Sequence, residues 1–363
     1  MVEEVARGST TDPQHNPPLI HWRQAADDPV LWPLRLRRRL QWPVGLSGLL
    51  VFVLWLGLFA LLAPWPADAA GVTSLDVERL GSALFFALSI AFLLEIAGIV
   101  LPAAQRDISE LRPLLRLPDD EFQRLRDGLV RYSPYRLRVV SSLGVLIGLG
   151  HAHMLGNLSL QAEPAGLSLA FALATVAIWV LMMQLASPLI RNAGLFSALG
   201  RDYTRLDLYN PHHLLPYGRA ALRPILLLLG LQALYPLITL GGTTLNPWVW
   251  AGLTASFLLM VWLFVMPLRG IHAAVKQRRE RLLSDLDTRL AHLWRADGHE
   301  PPDHGQDTLA RSAVLLDLRE RLRGVSSWPL GSALVKRILL YGIIPPLGWS
   351  AAVFMDILIK ALV

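Results

Sequence analysis

The sequence predicts an all-α, polytopic membrane protein, and three observations predict it. Seven apolar runs are each long enough to cross ~30 Å of hydrocarbon as a helix rising 1.5 Å per residue. Only 17% of the 363 residues are charged and 53% are hydrophobic, with a mean hydropathy of +0.42. A soluble domain carries nearer a quarter charged residues. Finally, 32 of the 34 Lys and Arg residues fall in alternate segments between the runs.

The basic residues set the expected orientation. Six lie in the N-terminal segment, eight in 103–138, five in 191–223 and thirteen in 269–337, which leaves only Arg79 and Lys360 elsewhere. The positive-inside rule then places the N-terminus in the cytosol and the C-terminus outside, in keeping with an odd number of spans. The net charge of +6 is therefore read as a membrane-orientation signal, and no nucleic-acid partner is expected. The chain has no cysteine, which excludes disulfides, thiolate metal sites and Cys nucleophiles. No short apolar core with a small-residue cleavage site precedes the first run, so that run is expected to serve as its own membrane signal.

Taken in order, Met1–Pro17 is polar and Pro-containing and is expected to be disordered. His21–Leu40 joins Trp22 and Trp32 to Arg35, Arg37, Arg38 and Arg39. Such a segment either lies at a membrane surface or serves as the positive flank that orients the first span. Residues 1–43 thus form a cytosolic, partly interfacial segment. The expected spans are Val44–Ala63, Leu80–Pro102, Arg138–Leu158, Gly166–Ile190, Ala220–Leu240, Pro247–Leu268 and Ile338–Leu358. The first six occupy 44–268, with helical cytosolic loops at 103–137 and 191–219. The outer loops are short, and Trp42, Trp65, Trp248 and Trp250 sit at span ends, where an aromatic belt belongs.

In the first inner loop Asp119, Asp120 and Glu121 open an apolar-periodic run to Tyr132, which reads as a helix start rather than a metal cluster. Asn210-Pro211-His212-His213 reads as a turn. Residues 269–336 are expected to form a cytosolic helical hairpin. Ile271, Val275, Leu282, Leu286, Leu290 and Leu293 recur at helical spacing, Ala296–Asp307 is a polar turn, and Leu309–Leu322 returns as a second amphipathic helix. Leu282, Leu286 and Leu290 are the candidate assembly seam.

The chain contains no phosphate-binding Gly loop, nucleophile elbow or His-Glu-x-x-His pair, so no enzymatic activity and no cofactor are expected. His151 and His153 point to opposite sides of a helix and cannot share a metal. His153 and Asn157 share a face and are expected to hydrogen-bond. His299, Asp303 and His304 carry ligand-type side chains in an exposed turn, where zinc is not expected. Gln184, Gln232 and Tyr235 read as interhelical hydrogen-bonding groups, and Gly144-x-x-x-Gly148 as a close helix contact.

Glu95 and Asp356 are the acids well inside apolar runs, a position that marks either an ion path or a local pairing. Residues 337–363 form the last span, with Pro345-Pro346 near its middle. Tyr341, Pro345, Trp349, Val353, Asp356 and Lys360 fall along one side of it and are the candidate pathway-lining residues.

This arrangement resembles the insect odorant- and gustatory-receptor channels. The likeness is one of topology: an inside N-terminus, seven spans, short outer loops, long helical inner loops after spans two, four and six, and a terminal span with almost no tail. The resemblance implies inner extensions packed as a subunit-anchoring domain and a tetrameric pore lined by the seventh span. The family's terminal Thr-Tyr…Gln-Phe signature is absent, and Tyr341 stands alone. The expected function is an oligomeric ion channel in the lipid bilayer, with a membrane sensor or scaffold as the alternative. The Leu-, Ala- and Arg-rich, Cys-free composition points to a bacterial inner membrane. The sequence does not name a small-molecule ligand.

Overall fold

The computed structural model describes Trp22, residues 25–43, 45–63, 74–158, 165–207, 211–239, 247–296 and 305–324, and the single positions Trp328, Lys336 and Leu340. Its helices are α1 (Trp32–Leu40), α2 (Leu46–Leu62), α3 (Ser74–Leu111), α4 (Asp119–Gly128), α5 (Pro134–Met154), α6 (Ala165–Ala198), α7 (Leu215–Gln232), α8 (Pro247–Ala296) and α9 (Gly305–Gly324). Among the described residues there is no strand, and only two isolated bridges occur, Val30 with Arg131 and Leu115 with Thr204.

Five helical stretches are long and apolar enough to cross a membrane, namely Val77–Leu114, Pro134–Met154, Gly166–Tyr203, Leu215–Ile238 and Phe257–Leu293. Leu46–Leu62 is equally apolar but shorter, at 17 residues. Of the expected last span, Ile338–Leu358, only Leu340 is described.

Several helices far exceed a bilayer. The 38 residues of α3 reach about 57 Å and the 50 of α8 about 75 Å. Part of the expected helical inner loops is therefore a direct continuation of the apolar helices. α3 continues past Pro102 to Leu111, and α6 passes Pro188 to reach Ala198. An internal proline removes one backbone bond. Here the residues beyond each proline bury an apolar face, and that packing carries the helix onward. α4, by contrast, stops at Gly128 rather than Tyr132, because the chain turns there to pair Val30 with Arg131.

Two cores result. The first lies among the apolar helices and is built on Phe59, Phe85, Phe86, Leu93 and Leu227, with Phe171 packed against Phe59 at a ring-centre distance of 4.9 Å. The second gathers the arginine-rich ends of the long helices with α4, and holds Ile108, Phe122, Leu125, Phe196, Tyr217 and Ile271. There α6 and α8 cross so closely that a Cβ on Gly270 would overlap the carbonyl of Ser197. A π turn, Leu199–Tyr203, follows α6.

α8 and α9 run antiparallel. The Arg319 guanidinium meets Asp287 at 2.7 Å, and Leu286 and Leu322 both enter the second core. Beyond α9, Trp328 stacks on His272 of α8 at 4.3 Å.

Candidate functional site

At the end of the bundle away from the second core, the helices part around a cavity of about 720 Å³. The packing of α5 opens it. Gly144 and Gly148 let α5 press directly on the α6 backbone, since a Cβ on Gly148 would come within 2.7 Å of the Val176 Cα and one on Gly144 within 2.8 Å of the Val180 Cα. Drawn so tightly to α6, the rest of α5 leaves Val139, Leu143 and Leu146 exposed, and a space remains between α3, α5, α6, α8 and the turn after α7.

Most of the wall is apolar or aromatic, with Phe85, Phe86, Phe171, Ile178 and Met182 typical of it. Its polar lining residues are Glu78 and Ser82 of α3, His151 of α5, Asn157 after it, Thr175 of α6 and Tyr235 after α7. The indole N–H of Trp179 donates to His151 Nδ1 at 2.9 Å, and the rings meet edge to face. With Nδ1 accepting, the neutral imidazole carries its proton on Nε2 and presents a donor there. Thr175 Oγ1 is committed to the Phe171 carbonyl at 2.8 Å. The Tyr235 ring rests against Phe85. An apolar chamber with a few convergent polar groups is the usual form of a small-molecule site.

His151 is therefore positioned by Trp179. Among the described residues no group of three or more metal-ligating side chains occurs, and His299, Asp303 and His304 lie outside them. His153 is exposed, and its backbone carbonyl accepts the Gly156 N–H at 3.0 Å. The Asn157 carbonyl accepts the Ser168 hydroxyl, and no side-chain bond joins His153 to Asn157. Gln184 bridges two elements, accepting from the Trp32 indole at 2.7 Å and donating to Ser141 Oγ at 2.8 Å.

Glu95 does not line the cavity. Its carboxylate reaches across from α3 to the first turn of α2, where it accepts the N–H of Gly45 at 3.1 Å, the N–H of Gly48 at 2.7 Å and the Ser47 hydroxyl. A negative charge on the unpaired N–H groups of a helix start is favourable on both hydrogen-bonding and dipole grounds. Gly48 makes the approach possible, since a Cβ there would lie 2.6 Å from Glu95 Cγ. Arg37 lies against Gly98, three residues further along α3.

Three arginines hold the arginine-rich end together. Arg191 of α6 donates to the carbonyls of Gly128 at 2.6 Å and Arg131 at 2.9 Å, closing the C-terminus of α4, and stacks over the Tyr132 ring. Arg223 of α7 pairs with the fully buried Asp107 of α3, and Arg219 lies 3.5 Å from the same carboxylate.

In the seam, Leu286 is buried in the second core and Leu282 packs at its margin, whereas Leu290 is half-buried outside it. Tyr341, Pro345, Trp349, Val353, Asp356 and Lys360 lie outside the described residues. The cavity is the feature that sequence reasoning missed. His151, Trp179 and Tyr235 stand on three different runs, and no local spacing links them.

The fold and cavity define a class, an all-helical protein with several helices long and apolar enough to cross a membrane. Comparison with protein-family models, curated proteins and solved structures finds no match to this chain.

Proposed function

We propose that this protein is a membrane sensor for small, largely apolar molecules that carry one hydrogen-bonding group. The cavity among α3, α5, α6 and α8 is the observation that carries the reading. Its volume suits a ligand of modest size, its aromatic wall suits an apolar body, and His151 and Tyr235 supply the polar contact. In this reading the arginine-rich end and the second core face the cytosol, seven helices cross a bacterial inner membrane, and the cavity opens toward the outside. Helices α3, α6 and α8 each run from the cavity wall into the second core, so a change at the cavity reaches the far end through continuous helix.

The fluorescent amine 1-aminoanthracene tests this directly. Titrated onto the protein in lipid nanodiscs, it should bind saturably, above the signal from empty nanodiscs, and 1-octanol should displace it. A signal that only scales with lipid rejects the sensor reading. Reporters fused after Val363 and within 296–307 test the orientation and should report opposite sides of the membrane.

A second reading concerns the output. Lys336–Val363 sets Tyr341, Trp349, Asp356 and Lys360 along one side of an otherwise apolar run, a pattern suited to a watery path between subunits. An oligomeric ion channel, a tetramer if the receptor resemblance holds, then gives dye-detected ion flux from liposomes that Asp356→Asn reduces. Ligand binding without flux leaves a sensor that signals through its cytosolic helices.

A further inference from the structure

The helix α1, WPLRLRRRL, has three different sides. At about 100° per residue, Trp32, Leu36 and Leu40 share one side. They are 36%, 47% and 40% exposed, large values for three apolar residues in a row. Arg35, Arg39 and Arg38 occupy the adjacent side, all exposed. The third side faces inward, where Leu34 is buried and Arg37 lies against Gly98 of α3.

The helix is firmly held. Leu31 N–H donates to the Val130 carbonyl at 3.1 Å, the Tyr132 N–H donates to the Pro29 carbonyl at 3.0 Å, and Trp32 is tied to Gln184. Left-handed residues at Gln41 and Gly45 then turn the chain directly into α2. α2 is apolar on all sides, with Leu49, Val53, Leu54 and Leu61 exposed, as a helix in contact with lipid requires. α1 thus lies where α2 enters the apolar layer.

Between α1 and the chain before it is a concave site of about 360 Å³, lined by Pro29, Val30, Arg35, Arg38 and Arg39. Three arginines line it and no acid does. Arg35 is fixed by donating to its neighbouring Val30 carbonyl at 2.9 Å. Guanidinium groups recognise phosphate oxygens in a bidentate manner, and the apolar stripe beside them suits acyl chains.

We propose that this arginine pocket and the Trp32–Leu36–Leu40 stripe form a binding site for an anionic phospholipid, with the headgroup phosphate at Arg35, Arg38 and Arg39. The charge of the pocket selects anionic over zwitterionic lipid, and the stripe selects a lipid over a soluble phosphate. Neither the cavity nor its ligand enters this inference.

Native mass spectrometry of the detergent-purified protein tests it. Phosphatidylglycerol and phosphatidylcholine with identical acyl chains are titrated in parallel, with inorganic phosphate as a third arm. Phosphatidylglycerol should bind and phosphatidylcholine should not, and millimolar phosphate should not displace the lipid. Replacing Arg35, Arg38 and Arg39 together by Gln should weaken phosphatidylglycerol about 100-fold, since each arginine near an anionic surface contributes about a factor of five. Replacing the exposed Arg278, Arg281 and Arg323 by Gln removes the same charge elsewhere and should change nothing. Leu36→Asn with Leu40→Asn leaves every arginine in place and should weaken the lipid by itself. Equal binding of the two lipids, full displacement by phosphate, or undiminished binding to the arginine variant would each overturn the proposal.

Discussion

The carboxylate of Glu95 accepts the backbone N–H of Gly48 at 2.7 Å, and so a transmembrane-length helix closes the start of a shorter apolar one. The same carboxylate takes the Gly45 N–H and the Ser47 hydroxyl. These contacts give a lone acid in an apolar run three local partners. Glu95→Ala should lower stability by about 2 kcal/mol, the range of hydrogen bonds to a charged group, and Glu95→Gln by about half as much because its amide oxygen still accepts. Gly48→Ala should match Glu95→Ala, because the new methyl displaces the carboxylate. Denaturant titration in mild detergent measures all three. Equal stability of Glu95→Ala and the wild type would return Glu95 to a functional role.

Arg191 makes a related closure at a helix C-terminus. It satisfies carbonyls at the end of α4 while stacking on Tyr132, and its own carbonyl accepts the Trp22 indole. Arg191→Lys keeps the charge but loses the planar fork, so it should still cost about 1–2 kcal/mol, with Arg191→Ala nearer 3 kcal/mol. The same titration reads both, and a silent lysine variant would show that charge alone suffices.

The hairpin seam should respond in graded fashion. Leu286→Ala empties a buried position in the second core and should cost about 2–5 kcal/mol. Leu282→Ala should cost less, and Leu290→Ala should stay within about 0.5 kcal/mol unless a second copy covers it. Oligomer size measured beside the melts separates the two cases. A large Leu290 effect with loss of oligomer would identify the outer part of α8 as a subunit contact.

Much of this architecture was legible in the sequence because apolar runs of span length have few other uses. Helix ends were not. The expected spans end at Pro102 and Ile190, yet Ile108, Leu111, Leu195 and Phe196 beyond them bury in a second core that local spacing does not reveal. The Glu95–Gly48 contact joins residues 47 positions apart, so no window along the chain contains it. His151 stood out in the sequence beside His153, but its partner Trp179 lies on another helix. The cavity is a space left by tight α5–α6 packing, and spaces leave no motif.

The polar side of that cavity has its own test. His151→Phe removes the acceptor for Trp179 and the Nε2 donor while keeping a ring of similar size. Binding of 1-naphthol in nanodiscs should weaken about fivefold, the worth of one hydrogen bond of ~1 kcal/mol, while naphthalene should be unaffected. Parallel loss of both would place the effect in the shape of the site.

The central claim is that a ligand occupies the space among α3, α5, α6 and α8, and Gly150 tests it most directly. Gly150 lines the cavity, and a Cβ built there meets nothing within 4 Å. Gly150→Phe therefore puts a ring into open space without pressing on backbone, and a glycine removed from a helix interior favours the fold. Gly57→Phe on α2, where a Cβ is also unopposed, is the control. Gly150→Phe should fold and lose 1-aminoanthracene binding by at least tenfold, with Gly57→Phe unchanged. A folded Gly150→Phe protein that binds the probe as tightly as the wild type would contradict the claim.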